Sequence, residues 1–369
     1  MRVLIAPDKF KGTLTAQEAV EAMARGWHAA RPEDSLALLP ISDGGDGFGA
    51  VMGAALKAKP QRVKTVDAAH RPVTAKWWWQ PERRIAIVES ANIIGLAMLP
   101  KGRFHPFLLD TFGLGAAVQA AQKNGAHRII IGIGGSATND GGFGLARALG
   151  WKFINRAGKE LTLWTELAEL QVVAPPAKRL RKGWITVAVD VENPLLGARG
   201  ATRIYGPQKG IRPQDVIPAE RCLRRLAQVM KQQFGLDFAK SPGAGAAGGL
   251  GFGLATFAGA RFVSGFELFA TQAKLSRRLE EADLVITGEG ALDRSSLMGK
   301  GAGQIAALGR ARKLPVIGLA GMILDRAVLR KLFQTTRAIT DLTTAEAARQ
   351  RAGHWLTELA FQVATNLRA

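Results

Sequence analysis

Cysteine is all but absent from this chain. Cys222 stands alone among 369 residues, which excludes an intramolecular disulfide and any multi-cysteine metal site and fits a reducing compartment; on its helical pattern it reads as a small apolar filler. Long apolar runs are missing too. The richest, such as Ile129 to Ile133, are stopped by glycine, short of the roughly 18 residues a membrane span needs, so no membrane partner is expected. Met1 to Pro7 runs straight into a short strand pattern with no apolar region followed by a cleavage site, and a soluble, cytoplasmic protein without a signal peptide is expected. The five histidines (His28, His70, His105, His127, His354) show no paired spacing, which argues against zinc. No Walker A loop exists: Gly299-Lys300 is followed by Gly301 where Ser or Thr is required, and Arg294 stands in place of the leading glycine. Protein-kinase signatures are also missing.

Acidic residues are outnumbered, 30 against 50 Lys and Arg, giving a formal charge of +20. A nucleic-acid partner is nevertheless not expected. The cations are spread over many helical segments (Arg221, Arg224, Arg225; Arg277, Arg278; Arg310, Arg312, Lys313), and the densest run, Lys178 to Lys182, has no interleaved aromatics for base stacking. It reads as a solvated face. A positive field would instead attract small anions, with salt-sensitive binding.

Apolar residues at 47% and charged residues at 22% match a globular chain, and the length points to two lobes with a cleft. Short Val, Ile and Leu runs at Arg2 to Ala6, Leu36 to Ile41, Arg128 to Ile133, Ile185 to Val191, Leu284 to Thr287 and Pro315 to Ala320 read as buried strands. Segments of helical periodicity lie between several of them, Thr15 to Ala30 and Gly301 to Arg312 among them, so an α/β fold with a parallel sheet is expected. One stretch differs. Arg62 to Val66, Val73 to Trp79 and Ile85 to Glu89 are close-spaced runs suited to antiparallel pairing, the mark of a second, mixed-sheet domain inserted into the first. The expected division is 1–50 with 280–369 for the parallel-sheet domain and 51–279 for the insert, with parts of 110–150 and 255–279 open between the two. Trp77, Trp78 and Trp79 alternate faces on a strand and so cannot form one stacking platform.

Chemistry should reside in the glycine-rich loops that follow strands, where backbone amides can approach a phosphate. Gly132-Ile-Gly-Gly-Ser-Ala-Thr-Asn-Asp-Gly-Gly142 follows one strand and opens a helix, offering Gly134, Gly135, Ser136, Thr138, Asn139 and Asp140 to an anion or polyol. Phosphoryl transfer needs cations to shield phosphate, carboxylates to hold Mg²⁺ and often a carboxylate beside the attacking hydroxyl. The loops supply them: Asp8, Lys9 and Lys11 after the first strand, Asp43 and Asp46 after the second, Asp190 and Asn193 after a later one, Lys209 in Tyr205 to Gly210, and Glu289 and Asp293 between Thr287 and Asp293. For each acid taken singly, a capping or turn role is an equal alternative. A second functional class also fits one loop. Gly132, Gly134 and Ala137 satisfy a dinucleotide pattern, which would make the protein an NAD(P)-dependent hydroxy-acid dehydrogenase, although the loop is not in the first strand-helix unit. Gly243 to Gly248 matches formally as well but follows Ser241-Pro242, not a strand, and reads as a tight turn opening a closely packed helix.

Taken together the loops resemble the bacterial glycerate kinases of the type 1, glycerate 2-kinase-like group. The resemblance spans nearly the whole chain: Ala6 to Ala16, Ser42 to Gly47, Glu89-Ser-Ala91, Gly132 to Gly142, Asn193 to Gly210, Pro242 to Gly249, Thr287 to Asp293 and Gly299-Lys300. It implies phosphorylation of D-glycerate by ATP and Mg²⁺, 2-phosphoglycerate being the favoured product, on a Rossmann- or flavodoxin-like domain carrying an inserted α/β domain. It also implies Asp190 and Lys11 as catalytic residues and Asp43, Glu289 and Asp293 as metal ligands. Substrate and phosphate would be held by Asp8, Lys9, Ser136, Thr138, Asn139, Asp140, Asn193, Arg203 and Lys209 with Gly134, Gly135, Gly245, Gly288 and Gly290. Glycerate and ATP are the expected partners, and a homodimer is compatible with them. A related small hydroxy acid is the alternative substrate, because the chain departs from the family pattern. Ala291 replaces an arginine, Ala302 a proline, and Asp110-Thr111 a paired threonine segment; losing a guanidinium removes a bidentate clamp on phosphate or carboxylate.

Overall fold

The computed structural model describes residues 1–42, 44–294, 296 and 301–367. Thirteen strands follow one another among them: β1 (Arg2–Ile5), β2 (Ser35–Leu38), β3 (Lys59–Val66), β4 (Pro72–Gln80), β5 (Ile85–Glu89), β6 (Arg128–Gly132), β7 (Lys152–Asn155), β8 (Leu170–Ala174), β9 (Ile185–Ala188), β10 (Arg261–Val263), β11 (Leu284–Leu292), β12 (Val316–Ile323) and β13 (Thr335–Ala338). The chain divides into two compact units, Met1–Asp43 with Phe266–Ala369, and Gly44–Gly265.

The first unit is built on a five-stranded parallel sheet in the order β13-β12-β11-β1-β2. Helices Ala16–Ala30 and Ala352–Thr365 place Val20, Met23, Trp27, Leu356 and Leu359 in one core cluster with Val3, Ile5, Ile286 and Leu319. Each side chain of that size adds about 1.5–3 kcal/mol when fully buried, and the sheet interior is apolar for that reason. Helix Ala16–Ala30 starts where Thr15 and Glu18 satisfy each other's backbone amides, Glu18 N to Thr15 Oγ1 at 3.2 Å and Thr15 N to Glu18 Oε2 at 2.8 Å.

The second unit is built on a six-stranded mixed sheet, β10-β9-β6-β5-β4-β3, beside the small β7-β8 pair. β3, β4 and β5 are antiparallel neighbours; β5, β6, β9 and β10 are parallel. The alternation expected of the tryptophans is present. Trp77 enters the core beneath helices Leu114–Lys123 and Ala246–Ala258, while Trp78 on the other face fills the space left by Gly49 and Gly53 of helix Phe48–Ala55. Cys222 is buried on helix Val216–Phe234, its Sγ 3.1 Å from the Thr165 carbonyl.

The parallel half of this sheet sets the address of the site. Glu89, Gly132, Ala188 and Val263 pair across β5, β6, β9 and β10 in a single row, so the segments that follow them all leave the sheet at its C-terminal end. That end is where ligands bind in open α/β sheets.

Candidate active site

The loop after β6 is buried and internally wired. Asp140 is fully buried, and its Oδ2 accepts from Thr111 N at 2.9 Å, Thr111 Oγ1 at 2.7 Å and Gly144 N at 2.9 Å, while Oδ1 accepts from Gly142 N at 3.2 Å. These bonds tie the loop to residue 111 and to the first turn of the next helix. Burial, reinforced by the neighbouring Asp110 carboxylate, pushes the Asp140 acid up to about 6 against the pull of those donors.

Lys209 reaches the same loop from helix Ala201–Lys209. Its ammonium donates to Ser136 Oγ at 3.0 Å and to the Thr138 carbonyl at 2.7 Å. Lys209 is the one lysine or arginine among the buried polar residues described, and desolvation draws its pKa down to about 7 despite the attraction of Asp140. Thr202, seven residues earlier and so on the same helix face, receives Asn139 Nδ2 on its Oγ1 at 3.0 Å. Among the described residues, Thr138 Oγ1 and Asn139 Oδ1 are buried without a hydrogen-bond partner.

The glycines of this region serve chain-to-chain packing. A β-carbon at position 134 would lie 2.6 Å from Gly45 Cα, and one at 135 would overlap the Asp46 carboxylate; the turn at Gly134 and Gly135 is therefore closed by residues 44–46, which removes the open approach a dinucleotide pyrophosphate requires. The Gly/Ala run after Pro242 behaves likewise. Ala247, Gly248 and Gly249 adopt φ values of 55°, 70° and 85° inside helix Ala246–Ala258, kinking it against the 138–141 backbone, where Gly141 N donates to the Gly248 carbonyl at 3.1 Å. A β-carbon at 248 would overlap the Thr138 carbonyl oxygen and lie 2.7 Å from Asn139 Cα. Gly248→Ala is accordingly expected to cost at least about 2–4 kcal/mol, a fall in melting temperature of roughly 5–10 °C in calorimetry. An unchanged melting temperature would show that the kink is dispensable.

Asp190 lies two residues beyond β9. Its Oδ1 accepts from Ser264 Oγ at 2.7 Å and Gly265 N at 3.0 Å, both just past β10, so the carboxylate is aimed by the neighbouring strand. Asn193 is engaged on both sides of its amide: Oδ1 accepts from Tyr205 Oη at 2.6 Å and Nδ2 donates to the Arg199 carbonyl at 2.8 Å. Its own carbonyl takes Gly245 N at 2.8 Å, and a β-carbon at 245 would run into the Pro194 carbonyl oxygen. Arg203 points elsewhere on its helix and pairs with Glu220 at 3.2 Å, half exposed; the structure does not bring it to the loop. Glu89 caps helix Phe48–Ala55, its two oxygens accepting from Gly47 N at 2.8 Å and Gly49 N at 2.9 Å.

Asp110-Thr111 acquires a concrete role. Thr111 Oγ1 donates to Asp140 and accepts from Leu145 N at 2.8 Å, while Asp110 Oδ2 meets His70 Nε2 at 3.0 Å, a bond that raises the imidazole pKa. Thr202 and Ser264 escaped the sequence reading, and His70 entered it only as one of five histidines without paired spacing. Only Thr202 carried a usable signal there, its two-turn spacing from Lys209.

In the first unit, Asp8 and Glu289 follow the adjacent β1 and run within β11. Asp8 is buried, its Oδ1 accepting from Lys9 N at 2.7 Å; a β-carbon on Gly301, at the start of helix Gly301–Ala311, would lie 2.6 Å from its Oδ2. Asp8 N donates to the Gly288 carbonyl at 2.8 Å. Gly290 passes within contact of the Phe10-Lys11 backbone, a β-carbon there lying 3.0 Å from Lys11 N, and Lys11 itself is exposed. Glu289 Oε1 accepts from Ser296 Oγ at 2.8 Å, and the same hydroxyl receives Asp293 N at 3.4 Å. Asp43 and Gly299-Lys300 lie outside the described residues.

Comparison with known proteins identifies the lineage of this arrangement. The sequence model of the glycerate kinase family matches residues 3–368. The chain is 36% identical to glycerate 2-kinase of Escherichia coli over 329 residues, 88% of this chain and 86% of that one. It is 35% identical to glycerate kinase of Halalkalibacterium halodurans over 325 residues, 87% and 85% of the two. A crystal structure from Salmonella typhimurium LT2, described as a glycerate kinase 2, superposes with a TM-score of 0.83 at 33% identity, covering 99% of this chain and 97% of that one. A kinase fold with a parallel-sheet unit and an inserted mixed-sheet unit, matched along almost its entire length, places the chain in the glycerate kinase family.

Proposed function

We propose that this protein is a cytoplasmic enzyme that transfers the terminal phosphoryl group of ATP to a hydroxyl of D-glycerate, with 2-phosphoglycerate as the favoured product. The observation that carries the reading is the row Glu89–Gly132–Ala188–Val263, which sends Asp190 and the 133–142 loop out of the same end of one sheet. Asp190, aimed by Ser264 and Gly265, orients the substrate hydroxyl and accepts its proton. Lys209, Ser136, Thr138 and Asn139 form the anion cradle, supported by the unpaired polar atoms and the buried ammonium. Asp140 acts from behind, as the residue that holds the loop in shape; Asn193 and Gly245 fix the turn beside it.

Mg²⁺ is commonly bound through one or two carboxylates, with water and substrate phosphates completing the shell. Glu289, whose Oε1 accepts from Ser296 Oγ, and Asp293, whose backbone amide donates to the same hydroxyl, are the proposed carboxylate ligands, with Asp43 as a further candidate. The ion would supply charge shielding on the phosphates. Lys9, Lys11 and Asp8, with the Gly288 and Gly290 backbone, are the proposed phosphate-facing groups of the first unit, Lys11 being the cation assigned to catalysis.

An ADP-coupled assay over D-glycerate, L-glycerate and tartronate, followed by phosphorus NMR of the product, tests the proposal. ADP release that needs both D-glycerate and Mg²⁺ supports it. Release with another hydroxy acid but not with glycerate would overturn the substrate.

A pH dependence follows from Lys209. Because kcat/KM reports the free enzyme, it is expected to fall as pH rises through about 7, where the buried ammonium loses its proton. The stability effect has the opposite sense. Between about 7 and the ordinary lysine value the unfolded chain holds the proton that the folded one has released, so this residue makes the fold more stable as pH rises across that window. A kcat/KM profile flat from pH 6 to 9 would remove Lys209 from substrate binding.

A further inference from the structure

The opposite end of the second sheet carries a feature that glycerate phosphorylation does not use. The segments entering β5, β6, β9 and β10, residues 81–84, 123–128, 178–183 and 259–261, contain nine Lys and Arg against one acid, Glu82. They are far apart in sequence, yet strand pairing gathers them: Ile85 is opposite Arg128, Ile129 opposite Ile185 and Thr186 opposite Arg261. Arg128 donates through Nε to Thr186 Oγ1 at 3.1 Å, which places it and Arg261 on one face with β9 between them. Arg84 folds over the 125 turn, its Nε 2.8 Å from the Gly125 carbonyl. Arg261 lies over Gly183, whose amide donates to the Gly259 carbonyl at 2.8 Å beside Lys182.

Among the described residues none of these cations forms an ion pair, whereas sixteen other pairs of charged groups elsewhere in the protein do. Burial, together with repulsion from Arg261 and Arg83, lowers the pKa of the half-buried Arg128. Gathering like charges without a counter-charge costs free energy that a bound anion would recover. Four adjacent strands, separated by three spacings of about 4.8 Å, make the cluster roughly 14 Å wide, more than one phosphate spans. None of these segments contains Phe, Tyr or Trp, and Trp184, just after the third, is tied down by its indole N–H donating to the Ala126 carbonyl at 2.8 Å, so the segments supply no base-stacking platform.

We propose that Arg83, Arg84, Arg128, Arg181, Lys182 and Arg261 form a binding site for a linear polyphosphate anion, about one strand length from Asp190. The class is that of inorganic polyphosphate or the triphosphate of a nucleotide, held by planar guanidinium forks.

Titration calorimetry of the whole protein with sodium tripolyphosphate tests this, with R83Q/R261Q, which alters only exposed side chains, as the principal variant and R128Q as the second. The wild type is expected to bind one equivalent more than either variant, that equivalent weakening at least tenfold between 50 and 200 mM salt, roughly as released counterions require. R83Q/R261Q should keep its glycerate-dependent ADP release within about twofold, so loss of the site and failure of the kinase reading are separable. Equal affinity for ATP and tripolyphosphate at this site would assign recognition to the phosphate chain; tighter ATP would name the nucleotide as its source. Identical stoichiometry in wild type and variants overturns the proposal, as does tighter binding of a single-stranded oligonucleotide at the same salt.

Discussion

Asp190→Asn is expected to lower turnover at least about a hundredfold without unfolding the protein. Asparagine keeps the size of the side chain, and its carbonyl oxygen can still accept from Ser264 Oγ and Gly265 N, the two bonds that aim Asp190 now. What disappears is the negative charge and the ability to take a proton from the attacking hydroxyl. Circular dichroism and thermal melting should therefore match the wild type while kcat falls. Near-normal turnover would dismiss Asp190 as base and leave it as a loop anchor.

Lys209→Met should be comparably severe for activity and mild for stability. Methionine fills nearly the same volume, and removing a desolvated ammonium offsets the two hydrogen bonds lost at Ser136 and Thr138. The melting temperature is expected to stay level or rise. A preorganised cation facing a developing phosphate charge is worth about 10²–10³ in rate, so kcat/KM should drop by that order. Lys209→Arg should not rescue it, since a planar guanidinium is larger than the ammonium that Ser136 and the Thr138 carbonyl hold in a buried position. Full activity in the methionine variant would reassign Lys209 to packing.

The parallel-sheet pattern was legible because β1, β6, β9 and the opening Leu284 to Ile286 of β11 are short runs dominated by Val, Ile and Leu that are buried almost throughout. The strands that passed unread are short or polar: β10 has three residues and β13 reads Thr-Thr-Arg-Ala, and nothing in their local composition separates them from loop. The same limit applies at the site. Loop positions could be read from glycine and acid placement, but which acid is held by what depends on contacts 63 residues apart for Asn139 and Thr202 and 74 apart for Ser264 and Asp190. The kink at Gly248 is a mixed case. The sequence marks a tight turn there, yet only packing against Thr138 and Asn139 shows that the turn shapes the anion loop.

That kink also bears on how the protein acquires activity as it is made. The 138–141 backbone is braced by a segment that emerges about a hundred residues later, and Asp190 by residues later still. Pairings so distant along the chain are slow to close, so the second unit should reach its compact state before the cradle locks, and a nascent chain ending before residue 250 should be collapsed yet catalytically inert.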